Sequence, residues 1–178
     1  MEKATRLPGV KPVSPDDWEL ARAERHDSLT LEAQRRSPDL GFIRVQVELV
    51  RGADLVLVQE GYLQPEQVRR LKVPMLVDTG AYMLCINETV KAVLDLRRVD
   101  ERPAELADGT TRILEVVGPI EVRFENRKTT MNALVLPGNA EMLLGAIPME
   151  DLDVLIDPKR QLLIVNPLSP NVARTFVK

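Results

Sequence analysis

Phe42-Ile43-Arg44-Val45-Gln46-Val47-Glu48-Leu49 alternates apolar and polar side chains without a break from Ile43 onward. Successive side chains of an extended chain point to opposite faces, so Ile43, Val45, Val47 and Leu49 can meet a core while Arg44, Gln46 and Glu48 meet water. The stretch predicts a half-buried antiparallel strand. Downstream, short apolar runs recur at Leu55 to Val58, Leu71 to Val77, Arg112 to Val117, Ile120 to Phe124, Met131 to Leu136, Glu141 to Leu144, Val154 to Ile156 and Leu162 to Val165. Turn residues separate several of them: Asp108-Gly109, Gly118-Pro119, Glu125-Asn126-Arg127, Pro137-Gly138-Asn139 and Asp157-Pro158. Two segments carry helix signals. Asn87 can cap a helix whose Val90, Val93 and Leu94 share a face, and Pro148-Met149-Glu150-Asp151 suits a single turn. Many short strands with one or two small helices predict a mainly β domain, closed or sandwiched.

Upstream of Phe42 the pattern is different. Residues 1–40 hold Pro8, Pro12, Pro15 and Pro38 among scattered charges, and read as an extension, partly helical or disordered. Ser14-Pro15-Asp16-Asp17 offers a capping hydroxyl, a Pro at the first helical position and an early acid, so a helix is expected from Pro15 to about Arg25, packed by Trp18. The polar, Pro-rich character also predicts protease sensitivity there, self-cleavage included.

Composition excludes several kinds of chemistry. The 178 residues carry 24 Lys+Arg against 27 Asp+Glu, a formal charge of −3, with signs interspersed and only 3% aromatic residues. Neither a basic stripe for phosphates nor a set of stacking platforms is present, so nucleic acid is not expected as a partner. One Cys (Cys85) and one His (His26) allow no internal disulfide and no ordinary Cys/His zinc site. A His-assisted nucleophile would have to use His26, within the polar run Ala23 to Ser28. Cys85 lies in Met83-Leu84-Cys85-Ile86 and reads as packed core. No segment approaches the length of a membrane span, and the chain is expected to be soluble and cytoplasmic, with no membrane partner and no cofactor or metal.

Catalysis would then fall to carboxylates, and Leu76-Val77-Asp78-Thr79-Gly80-Ala81 singles one out. An apolar strand ends abruptly in an acid followed by small residues, where the carboxylate is poorly solvated unless something bonds it or uses it. Thr79 offers a hydroxyl, and Gly80 lets the next peptide come close. Read without function, the same tripeptide is an Asx turn closing a strand. Sixty-five residues after Asp78, Leu143-Leu144-Gly145 reads as a buried strand leading into the short helix at Pro148.

Taken together, these motifs resemble the retropepsin-like aspartic proteases. That family carries an Asp-Thr-Gly-Ala loop, a flap hairpin about midway, and a late apolar-apolar-Gly strand beside the loop. Met75 to Ala81 matches the first, the hairpin around Ala107-Asp108-Gly109-Thr110 the second, and Leu143-Leu144-Gly145 the third. Val77 to Asn87 and Leu143 to Pro158 look like the bacterial clan AA branch.

The resemblance implies a closed, barrel-like acid-protease fold over residues 41–168, with 169–178 as a tail. It also implies a homodimeric aspartic endopeptidase acting on polypeptides, with Asp78, Thr79 and Gly80 as the catalytic loop. Ala81, Tyr82, Ala107, Asp108, Gly109, Thr110, Leu144 and Gly145 would contact substrate. Peptide hydrolysis by this route needs two carboxylates sharing one proton, and the chain has one Asp-Thr-Gly, so the mate would be Asp78 of a second subunit. Asp108, Asp153 and Asp157 are the alternatives within the chain, each in a turn-like setting. Tyr82 and Met83 stand where viral members often carry acids, implying larger, more apolar subsites. The strands Ile43 to Leu49 and Leu162 to Val165 are further candidates for pairing with symmetry copies. A different reading is a non-catalytic dimerisation or peptide-binding module on the same fold.

Overall fold

The computed structural model describes residues 41–105 and 109–174. The helix expected from Pro15 to Arg25, with Trp18 and His26, lies outside the described residues, as do Ala107 and Asp108.

The alternating stretch forms β1 (Arg44–Arg51), antiparallel to β2 (Arg70–Val77) with Val47 opposite Val73 and Val45 opposite Met75. Val47, Leu49, Val73 and Met75 are buried on one face, as the period of two requires. The remaining strands are β3 (Leu84–Asn87), β4 (Arg98–Glu105), β5 (Thr111–Phe124), β6 (Arg127–Leu136) and β7 (Leu143–Leu144), with a separate hairpin of β8 (Val154–Asp157) and β9 (Leu162–Val165). The large sheet runs β1-β2-β7-β3-β6-β5-β4, and β1 also pairs with β5, so six strands close into a ring with β4 outside it. Closure removes the edges that an open sheet would expose. Leu49, Met75, Leu84, Ile86, Ile120, Val122 and Leu144 fill the interior. The domain is mainly β, with short helices α1 (Gly52–Gln59), α2 (Glu88–Val93) and α3 (Ala146–Asp151) and one 3-10 turn, Pro65–Gln67.

Three local expectations need correction, and one strand, β4, was not expected. Leu55 to Val58, an apolar run with no phase, lies in α1 and not in a strand. Asp54 in the first turn of that helix accepts from Arg51 Nη1 at 2.6 Å and from the Arg69 N–H at 3.0 Å, anchoring a helix whose Val56 and Leu57 stay exposed. Gly118-Pro119 is no chain reversal: β5 runs straight through it with a register shift between Val117 and Ile120. There the strand changes partner on one edge, from β4 to β1, and a bulge supplies the bend. β4, with five charged residues and Pro103, gave no strand signal; it is an exposed edge strand, where Pro is tolerated. Finally, β1 offers no continuous edge for a symmetry copy, because Glu48 to Arg51 pair with β2 or its flank on one side and with β5 on the other.

Asn87 caps α2 as the sequence predicts, its Oδ1 accepting from the Val90 N–H at 3.0 Å. β9 pairs only with β8 among the described residues.

Candidate active site

β2 delivers Asp78 to the mouth of the barrel, and β7 fixes the position. Leu76 and Val77 run parallel to Leu143 and Leu144, while Cys85 of β3 lies opposite Leu143 on the other side. The short β7 is thus wedged between the strands that enter and leave the Asp78 loop. Backbone bonds knit the junction: the Asp78 N–H donates to Leu144 O at 3.1 Å, the Leu76 N–H to Met142 O at 2.9 Å, the Ala146 N–H to Ala81 O at 2.8 Å and the Ile147 N–H to Tyr82 O at 3.2 Å. Gly145 has no alternative at this crossing. A Cβ there would stand 2.3 Å from Met83 O and 2.6 Å from Ala81 O, distances no side chain can occupy.

Within the loop, Asp78 Oδ1 accepts the Gly80 N–H at 2.8 Å, and the Ala81 N–H closes the turn on Asp78 O at 3.2 Å. The local geometry is the Asx turn of the non-functional reading, but its surroundings are not those of a simple strand end. Asp78 is half-buried and lines two cavities. One, of about 650 Å³, is bounded by Gly80 to Met83, Cys85, the hairpin arm Arg102 to Glu105, Leu114, Leu134, Leu136 and Leu143. The other, of about 380 Å³, is bounded by Gly41 to Ile43, Leu76, Val77, Thr79, Ile156, Pro158 and Gln161. Asp78 is the residue common to both. Cys85, in the floor of the larger cavity, has its thiol pushed up to about 11 by burial and, secondarily, by the Asp78 carboxylate, so it is a packed, un-ionised thiol and not a nucleophile.

The residues expected to form the site are only partly brought together. Asp78, Gly80, Ala81 and Tyr82 share the larger cavity, whereas Thr79 faces the smaller one. Leu144 is fully buried in the core; its neighbour Leu143 takes the cavity side, since adjacent strand residues point opposite ways. Gly145 serves the crossing and is not among the lining residues, and neither are the exposed Gly109 and Thr110. Asp153 is committed elsewhere, accepting from the Ser169 hydroxyl, from Asn166 Nδ2 at 2.7 Å and from the Arg174 N–H at 3.0 Å, bonds that hold it down at about 2. Asp157 accepts from the Arg160 N–H at 3.0 Å. Sequence reasoning missed Leu134 and Leu136. Their signal was the unbroken Ala133 to Leu136 run, which a strand shows when both its faces are covered, one here by core and the other by the cavity wall.

Among the described residues no group of three or more His, Cys, Asp or Glu could hold a metal ion, and no helix is long and apolar enough to cross a membrane.

Residues 67–149 match a protein-family model described as "gag-polyprotein putative aspartyl protease". No curated protein matches the chain. Among solved structures, one match is the EIAV protease complexed with the inhibitor HBY-793, 14% identical over 66% of this chain and 93% of that chain, with a TM-score of 0.45. The matched segment carries the Asp78 loop, both hairpin arms and β7, and in it this chain is similar to the retropepsin-like aspartyl proteases.

Proposed function

We propose that this chain is one half of a homodimeric aspartic endopeptidase, with Asp78 from each subunit forming the catalytic pair. The observation that carries the reading is the position of Asp78 between two cavities. A mate approaching from the groove of Gly41 to Ile43 and Thr79 would set its own carboxylate beside Asp78, both facing the larger cavity, where a polypeptide can lie. The match to an aspartyl-protease family over residues 67–149 supports the chemistry, and the resemblance of Val77 to Asn87 and Leu143 to Pro158 favours the bacterial branch. The exposed Phe42, Thr79, the half-exposed Leu155 and the side of β9 that no strand of the described residues pairs suit a surface that a second copy covers. A cytoplasmic setting accords with the lone thiol.

In this mechanism the two carboxyls hold one proton between them. The ionised member takes a proton from water as its oxygen attacks the scissile carbonyl carbon. The protonated member gives its proton to the carbonyl oxygen. The tetrahedral diol then collapses, the C–N bond breaks, and a carboxyl returns a proton to the leaving nitrogen. The Gly80 N–H on Asp78 Oδ1 fixes the carboxylate plane, leaving the other oxygen for water. Ala107, Asp108, Gly109 and Thr110 would close over the substrate as the hairpin tip.

The test is cleavage of an unstructured peptide library by the full chain and by Asp78→Asn. The variant is expected to lose roughly 10²–10⁴-fold in turnover. Subunits mixed in equal amounts and allowed to exchange should retain about one quarter of the wild-type activity, since only that fraction pairs two intact chains. Equal cleavage by wild type and variant would remove Asp78 from the mechanism. Peptide binding without any cleavage would favour the non-catalytic module.

A further inference from the structure

We infer that Arg102 makes this site selective for polypeptides that carry an acidic side chain next to an aliphatic one. This deepens the endopeptidase reading and rests on it for the identity of the cleft. The floor and back wall of the 650 Å³ cavity are Cys85, Leu114, Leu134, Leu136 and Leu143, whose side chains offer no hydrogen-bond partner to a polar group beyond the weak Cys85 thiol. Such a chamber accepts an aliphatic or thioether residue and penalises a charged one.

At its mouth the chemistry reverses. Arg102 of β4 stands opposite Leu114 of β5, so the two share a face, and its Nη1 reaches Met83 Sδ at 3.8 Å. A thioether is a poor acceptor for a guanidinium, and a carboxylate offered at that point would replace it with a charge-assisted, bidentate bond. The carboxylate near Arg102 in the chain is Asp100, whose Oδ2 lies 3.6 Å from Nε, on the inner side of the fork. With side chains 55% and 57% exposed, that pair is screened and leaves the Nη edge able to bind. Among the described residues lining the cavity, Arg102 is the only cation, and the acids are Asp78 and Glu105. Glu105, three residues along the same arm, repels an acid near itself and restricts the preference to the substrate position that touches Met83 and Arg102.

Binding is measured separately from cleavage, so the two readings fail independently. The full-length Asp78→Asn protein is titrated with fluorescein-labelled peptides that hold one Leu fixed and place Glu, Gln or Lys at each flanking position. At one position Glu should bind about 3- to 10-fold tighter than Lys, a difference that shrinks as salt is raised. In Asp78→Asn/Arg102→Glu the order should reverse, with Lys preferred at that same position. Glu and Lys peptides binding alike before and after the reversal would overturn the inference, as would no binding by a folded protein. Cleavage by the otherwise wild-type chain is scored in parallel. Charge-selective binding without cleavage would sink the endopeptidase reading and leave Arg102 its role, whereas cleavage indifferent to charge would do the opposite.

Discussion

The two sides of the cleft are built on opposite principles. The Asp78 side is held by backbone: β7 is clasped between β2 and β3, and four main-chain bonds tie the loop to residues 142–147. The hairpin side, β4 with the first half of β5, is held by its own ladder, by the pairing of Val116 and Val117 with β6, and by charged side chains at its surface, among them the Lys91–Glu115 pair. Where the clasp brings main-chain oxygens against Gly145, no side chain can be added. A ladder tolerates nearly any side chain, which is how β4 can carry five charges and Pro103. The cleft therefore pairs an invariant geometry, where the acid must be placed, with an adjustable wall, where selectivity can be written.

The largest test of that contrast substitutes a glycine on each side. Gly145→Ala drives a methyl to 2.3 Å from Met83 O, backbone that can yield only by unclasping β7, and is expected to cost about 3 kcal/mol or more and to take any Asp78-dependent activity with it. Gly109→Ala meets no atom of the described residues within 4 Å and pays for its φ of +78°, about 1 kcal/mol. Urea unfolding of the two variants reads the difference. Similar costs would mean that the clasp is no more demanding than the hairpin tip.

Neighbouring leucines sharpen the same point within one strand. Leu144→Ala removes a fully buried side chain and should cost about 3 kcal/mol, whereas Leu143→Ala opens the cavity and should cost about 1 kcal/mol. The second should instead weaken binding of peptides with a large aliphatic side chain. A Leu143→Ala protein with unchanged peptide preference would take β7 out of the cavity wall.

These pairs also show what could be read from the residues alone. Ile43 to Leu49 was legible because its alternation has a phase, and the Asp78 loop because an apolar strand stops at an acid and small residues. Leu143 and Leu144 were not separable: a run apolar on both faces has no phase, and only the partners of β7 decide which side is core. The same loss of phase made Leu55 to Val58 look like strand, when a buried Asp54 bound to Arg51 and Arg69 holds it as helix. Arg102 was invisible for a different reason. Its role comes from pairing opposite Leu114 and reaching Met83, contacts that depend on the register of the hairpin and on where β4 crosses the Asp78 loop.

A third region gathers around one carboxylate and should respond to pH. Asp153, in the left-handed region at φ 51°, gathers the Ser169 hydroxyl, the Arg174 N–H and Asn166 Nδ2, while the buried Arg127 donates through Nη2 to Ser169 O. Those bonds lower the Asp153 carboxyl from 3.8 to about 2. A lowered folded-state value means that the stabilisation is complete above the unfolded value and is lost as pH falls from about 4 toward 2. Amide exchange at Ser169 and Arg174 should be steady from pH 7 to 5, after allowance for the intrinsic rate, and lose protection below 4. Asp153→Asn should show weaker protection throughout, with its difference from wild type vanishing near pH 2.

The smallest effect belongs to the hairpin wall. Lys91 of α2 pairs with Glu115 of β5 across a cavity of about 690 Å³, and with side chains 29% and 39% exposed the pair is partly screened. A double-mutant cycle of Lys91→Met and Glu115→Gln should return a coupling of about 0.5 kcal/mol, falling in high salt. Global stability will barely register it. Amide exchange along β4 should, because this pair tethers the hairpin to α2, outside the strand ladder itself. Faster exchange at Asp100 to Ala104 in Lys91→Met, with β2 and β7 unchanged, would show the wall moving independently of the clasp. Acceleration on both sides together would mean that the cleft is one mechanical unit, and the division drawn between its two sides would be lost.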